Sequence, residues 1–195
     1  MVNKMSEIRV DTISEKTSTS GVSIDSVTLK DGGATLTDNI TFSASGKGVH
    51  LGVTTATASN LLDDYEEGTF TPTLAGSSGT ITCGTYGTLE YTKIGRKVFI
   101  SGELRVSAIS SPSGDFKLTG LPFAIPNLSG LQERTVSTVW IKNFGSTLDT
   151  PLLAKFESGS EFNFTVITNG DGGNINANIV EVGTELVFGA TYITS

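Results

Sequence analysis

Apolar residues along the first sixty positions come in pairs and triplets two apart. They are Ile8 and Val10, Val22 and Ile24, Val27 and Leu29, Ile40 and Phe42, then Val49, Leu51 and Val53. Residues two apart share one face of an extended chain, so this is strand periodicity. Polar turn segments separate the pieces, KTSTSG at 16–21, KDGG at 30–33 and SASGKG at 43–48. Ordering costs roughly 1.5 kcal/mol per residue, and each buried aliphatic residue returns only roughly 1.5 to 3 kcal/mol. Apolar residues this sparse cannot support a fold in one copy. Residues 1–60 are therefore either a flexible tail or, as the regular alternation favours, a segment in which several chains wrap together around an axis. In the second case Val22, Ile24, Val27, Leu29, Ile40, Phe42, Val49 and Leu51 are the candidate axis contacts.

Residues 61–68 predict a short helical joint. Asn60 would cap it, Asp63 and Asp64 would sit near the positive end of its dipole, and Gly68 would end it. From Thr69 to Ser195 the pattern predicts a single antiparallel β domain. Its clearest strand is 97–108, where Val98, Ile100, Leu104 and Val106 face one way and Lys97, Ser101, Glu103 and Arg105 the other. Similar runs at 70–74, 88–92, 116–118, 136–141, 152–156, 162–167, 175–182 and 186–193 are separated by Gly, Pro, Ser and Asn. Many short strands so spaced predict a β-sandwich of jelly-roll type. GSSGT at 76–80 and SSPSGD at 110–115 read as exposed loops.

Composition agrees with this picture. Only 17% of residues are charged and 23 are glycine, a mixture suited to strands and tight turns rather than to helices. A formal charge of −7 argues against general attraction to nucleic acid or anionic lipid. No apolar run approaches the roughly 20 residues that span a bilayer, and the N-terminal MVNKMSEIRV lacks the apolar core of a signal peptide, so neither membrane insertion nor secretory export is expected.

Two stretches carry a resemblance. SEIRVDTISEKTSTSGVSIDSVTLKDGG at 6–33 resembles an N-terminal segment of bacteriophage fibre and virion-associated proteins. LLDDYEEGTFTPTL at 61–74, YTKIGRKVFISGEL at 91–104 and LTGLPF at 118–123 are similar to the C-terminal β domains of phage tail-fibre and head-fibre proteins. Those domains often carry Trp after EEGT, where this chain has Phe70 and so keeps an aromatic anchor. The resemblance implies a homotrimer, made in the host cytoplasm and placed on the virion surface as a tail or capsid appendage. Residues 1–60 would form its shaft or its attachment to other virion proteins, and the C-terminal domain would be an exposed head. It implies either host adhesion through surface glycans or a purely structural, decorating role. It brings no catalytic residues.

Candidate chemistry is thin. A lone His50 and a lone Cys83 leave no room in one chain for a Ser-His-Asp triad, a Cys-His pair or a cysteine metal cluster. Three copies could still stack His50 around an axis. Glu103, Asp115, Glu157, Glu161 and Asp171 could in principle supply the paired carboxylates of a glycan-cleaving enzyme, but carboxylates scattered over strand faces and turns are the simpler reading. Asp63, Asp64, Glu66 and Glu67 read as a solvated acidic collar, and the Gly and Lys of 43–49 as a turn. Asn169, Asp171 and Asn174 suggest a calcium loop but lack its distal Glu, so a wide hairpin is the simpler reading. No enzyme activity, metal or cofactor is expected. Sugar recognition needs an aromatic platform beside amide or charged groups, which Trp140, Lys142, Asn143 and Phe144 could supply. The competing reading packs Trp140 into the core or the trimer interface with Val136.

Overall fold

The computed structural model describes residues 38–127, 134–148 and 150–194. The chain divides into two units, Met1–Thr41 and Phe42–Ser195. The candidate axis residues Val22, Ile24, Val27 and Leu29 lie outside the described residues, whereas Ile40, Phe42, Val49 and Leu51 are exposed in a single copy.

The second unit is all-β. Among the described residues the helical pieces are two three-residue 3-10 turns, Ala58–Asn60 and Ala177–Ile179. Strands β1 (Val49–His50) and β2 (Leu61–Leu62) form a small antiparallel pair. The main sheet contains β3 (Tyr65–Phe70), β4 (Thr73–Ala75), β5 (Ser78–Cys83), β6 (Leu89–Ile94), β7 (Lys97–Ser113), β8 (Lys117–Thr119), β9 (Thr135–Lys142), β10 (Leu152–Phe156), β11 (Glu161–Thr168), β12 (Asp171–Asn174) and β13 (Glu185–Ile193). Its order is β3-β6-β7-β13-β9-β10-β11-β8-β4, with β5 added to β7 and β12 to β11. Every ladder is antiparallel.

The two ends of that path, β3 and β4, are joined by Thr71 and Pro72 alone, so the sheet must curl round on itself. The run predicted as one strand at 70–74 is two for this reason. Proline has no N–H for a ladder, and the chain turns a corner at Pro72, so that Phe70 pairs with Leu89 on β6 and Leu74 with Leu118 on β8.

The core fills the inside of the curl. Val98, Ile100, Leu104 and Val106 of β7 are buried as their alternation predicts. Opposite Val98, Ile100 and Leu104 lie Tyr192, Ala190 and Leu186, all buried. A run of rings crosses it: Phe116 stacks on Phe164 with centroids 4.3 Å apart, Phe164 meets Phe162 edge-on at 5.2 Å, and Phe162 lies 4.5 Å from Phe156. Phe156 stacks on Tyr192 at 5.5 Å. Gly102, with φ 141°, faces Phe188 in this register, and a Cβ there would meet Leu89 at 2.8 Å. Lys93 is the one buried cation among the described residues. It pairs with the Asp64 carboxylate and sits 5.4 Å from the centre of the Phe123 ring, a cation–π contact.

Four local expectations are corrected. The helical joint at 61–68 is strand: Asn60 ends a 3-10 turn and accepts a hydrogen bond from Thr57 Oγ1 at 2.7 Å, while Leu61 and Leu62 pair with β1. Gly68 ends no helix; a Cβ there would meet the Tyr91 hydroxyl at 3.0 Å and its ring at 3.1 Å. The loops at 76–80 and 110–115 are instead largely strand, because Ser78 pairs with Ser113 and Thr80 with Ser110, with Gly79 (φ 73°) and Ser111 (φ 41°) absorbing the irregularity between them. The strand at 175–182 gives way to the turn Ala177–Ile179, where the Asn176 side chain accepts from Asn178 N at 3.0 Å and so competes with a ladder.

Burial pushes the Tyr192 hydroxyl up to about 12 from its ordinary 10.0, against a smaller opposing effect of the Phe123 N–H that it accepts. Below pH 10 the hydroxyl is protonated in both folded and unfolded chains. Above it the unfolded chain ionises first, which draws the equilibrium toward unfolding until the folded hydroxyl also ionises. Stability measured by urea titration is thus expected to fall from pH 10 toward 12. Tyr192→Phe should make that fall shallower.

Candidate functional site

Of the residues singled out as a sugar platform, the fold keeps Trp140 and Lys142 on one face and turns Phe144 away from it. Trp140 lies on the outer face of β9, 55% exposed, directly opposite Val187 on β13. Lys142 is two residues further along the same face, and its Nζ is 3.2 Å from Glu185 Oε2. The other oxygen of Glu185 is 3.6 Å from Arg105 Nε on β7, so one carboxylate is held between two cations across three strands. Asn143 follows the strand in a left-handed conformation (φ 53°) and donates its amide to Gly183 O at 3.1 Å. That reversal turns Phe144 inward, where it packs on the core 6.5 Å from Phe116. Phe144 is therefore no surface platform.

Beside Lys142 and Asn143 lies a cleft of about 310 Å³ that the sequence does not announce. Its floor is Arg105–Ser107 of β7, one wall is Gly84–Tyr86, and the other is Val182–Gly183. Backbone bonds fix both walls to the floor: Gly84 N donates to Arg105 O, Arg105 N to Tyr86 O, and Gly183 N to Val106 O. Thr184, fully buried, ties the second wall together. Its hydroxyl donates to Asn143 O at 2.7 Å and accepts from Glu181 N at 3.0 Å, while its carbonyl accepts from Val106 N. Tyr86 and Val182 stand exposed at the two rims, and Arg105 supplies a half-exposed guanidinium. An adjoining cleft of about 350 Å³ shares Gly84 and Thr85 and is lined by the hydroxyls of Thr71, Thr73, Thr82 and Thr88.

An exposed phenol ring, a guanidinium and a set of hydroxyls can stack on and hydrogen-bond a small hydroxylated or carboxylated ligand. Local sequence could not reveal the site, because its three parts come from segments almost a hundred residues apart. His50 lies on β1 opposite Leu61, and among the described residues no three His, Cys, Asp or Glu side chains converge as metal ligands. Asn169 and Gly170, at φ 53° and 88°, make the two-residue turn of the β11–β12 hairpin, and Asn174 spends its amide on Asp115 at 2.9 Å. Cys83 is half buried, which pushes its thiol up. No described helix is long and apolar enough to cross a membrane.

A scan against protein-family models matches none, and a search of curated proteins returns no match. Among solved structures, the crystal structure of Dettilon tailspike protein aligns with a TM-score of 0.52 at 22% identity, over 66% of this chain and 24% of the tailspike chain. The chain thus matches about a quarter of that protein's length. At this identity the likeness is one of fold.

Replacing Thr184 by Val keeps its shape but leaves Asn143 O and Glu181 N without their partner. The expected cost is about 1–3 kcal/mol in a denaturant titration. Faster amide exchange at residues 182–184 is expected alongside it.

Proposed function

We propose that this chain is a structural component of a bacteriophage particle: a homotrimeric fibre or fibre tip at the virion surface whose C-terminal β domain binds carbohydrate on the host cell. The observation that carries the binding role is the cleft above Arg105, built on a fold shared with part of a tailspike. Tyr86 offers its ring as the stacking platform, Arg105 and Ser107 face the polar edge of the sugar, and Lys142 and Asn143 extend the polar rim. The segment before the β domain, with its resemblance to phage attachment segments, is the contact to other virion proteins.

The reading is one of binding without cleavage. Glycoside hydrolysis uses two carboxyl groups about the scissile bond, and neither cleft is lined by a carboxylate. A capsid-decorating role with no receptor is the alternative, since the sequence resemblance extends to head fibres as well.

An array of host surface glycans probed with the purified full chain should show binding. Tyr86→Ala and Arg105→Ala should each weaken it at least tenfold with unchanged thermal unfolding; a tenfold loss corresponds to about 1.4 kcal/mol. No binding by the assembled protein would favour the decorating role. Incubation with host polysaccharide should release no new reducing ends, and their appearance would overturn the non-enzymatic reading.

A further inference from the structure

The outer face of the sheet is the less expected surface. The ladders place Trp140, Val187 and Glu103 in one cross-strand row, then set Gly189 beside Ser101 and Thr191 beside Phe99, while Thr138 and Val136 follow Trp140 at two-residue steps along β9 and so share its face. A further row sets Ile193 beside Lys97 and Ile94. Val136 is 57% exposed, Trp140 55% and Phe99 46%. Scattered apolar residues on a surface need no explanation, but a contiguous patch across neighbouring strands does.

We propose that this face packs against the same face of neighbouring copies of the chain, with Trp140 and Phe99 as its anchors. The proposal rests on the homotrimer reading and gives it a surface. Three features of the face favour a second copy as the occupant. The first is size. Five strands at about 4.8 Å spacing and nine residues at about 3.4 Å rise give a face of about 24 by 30 Å, or roughly 700 Å². Turned toward an axis, the face gives that area to its two neighbours together, against about 800 Å² from each partner in a standard two-chain interface.

The second feature is relief. Gly189 lies between the Trp140 row and the Phe99 row, with open space where a side chain would stand, so bulky residues flank a pit that a neighbour's bulky residue can enter. The third is charge. Glu67 and Glu90 lie on the margin formed by β3 and β6, whereas Arg134 and Lys155 lie on the margin formed by β9 and β10, sharing the single carboxylate Glu157. Copies related by rotation about an axis set the acidic margin of one against the basic margin of the next. Trp140 then belongs to the assembly, and the sugar to the cleft at the rim.

Trp140 is the only tryptophan in the chain and reports directly on the face. Light scattering of the intact wild-type protein should give about three times 20.4 kDa, with blue-shifted tryptophan emission shielded from iodide. Phe99→Asp should lower the mass toward a single chain and shift the emission to the red, with unchanged far-ultraviolet circular dichroism. Glu67→Lys with Glu90→Lys should weaken assembly, and adding Arg134→Glu with Lys155→Glu should restore it. A trimer whose tryptophan emits as if exposed, or a Phe99→Asp protein that remains trimeric, overturns this face and leaves the trimer standing. A wild-type monomer at micromolar concentration overturns the trimer and the proposal together.

Discussion

Nine residue pairs in unbroken antiparallel register join β13 to β7, from Glu185 opposite Arg105 to Ile193 opposite Lys97, and everything else in the domain is arranged around that ladder. Because side chains alternate across a strand, one register assigns every residue of both strands to a face. Leu186, Ala190 and Tyr192 go inward with Leu104, Ile100 and Val98, while Glu185, Val187 and Thr191 go outward with Arg105, Glu103 and Phe99. A slip by one residue would exchange the two sets and put Glu185 and Arg105 among the phenylalanines. The buried layer resists such a slip, since each large side chain held there is worth roughly 1.5–3 kcal/mol.

The same ladder explains why a cleft forms at one end of the sheet. β7 is seventeen residues long and outruns its neighbours: β13 ends opposite Arg105 on one edge, while on the other β6 ends opposite Ser101 and β5 takes over from Val106, with a register shift between Thr82 and Cys83. The loop after that shift and the turn before β13 both return to β7 at Arg105 and Val106, one on each side. Thr184 holds the turn and Asn143 in place. Binding groups are thus carried on short segments that a rigid scaffold positions, the usual division of labour in β domains.

Charge plays a different part inside and outside. The Lys93–Asp64 pair is anchored at a buried ammonium, where loss of Asp64 would strand the cation. The Arg105–Glu185–Lys142 set lies at the surface, where ion pairs add little to stability. Its consequence is local: the carboxylate of Glu185 is neutralised from both sides, which leaves the cleft floor cationic in a chain whose net charge is −7.

Much of the fold was legible because burial imposes a period of two on the chain. Val98, Ile100, Leu104 and Val106 announced β7, and the strands at 136–141, 152–156, 162–167 and 186–193 followed the same rule. Local chemistry misled where a partner elsewhere in the chain decided the outcome. Asn60 and the acidic residues after it suited a helix, yet Leu61 and Leu62 pair with β1 and Tyr65–Phe70 with β6. The serines and glycines of 76–80 and 110–115 suited loops, yet each supplied the other's hydrogen bonds. Sequence by itself determined an all-β domain with an inward and an outward set of side chains, since alternation depends only on neighbouring residues. Tertiary structure alone decided which strands lie side by side, that Phe144 turns inward while Trp140 stays out, and that Tyr86, Arg105 and Val182 share one cleft, because those outcomes depend on pairings between residues far apart in the chain.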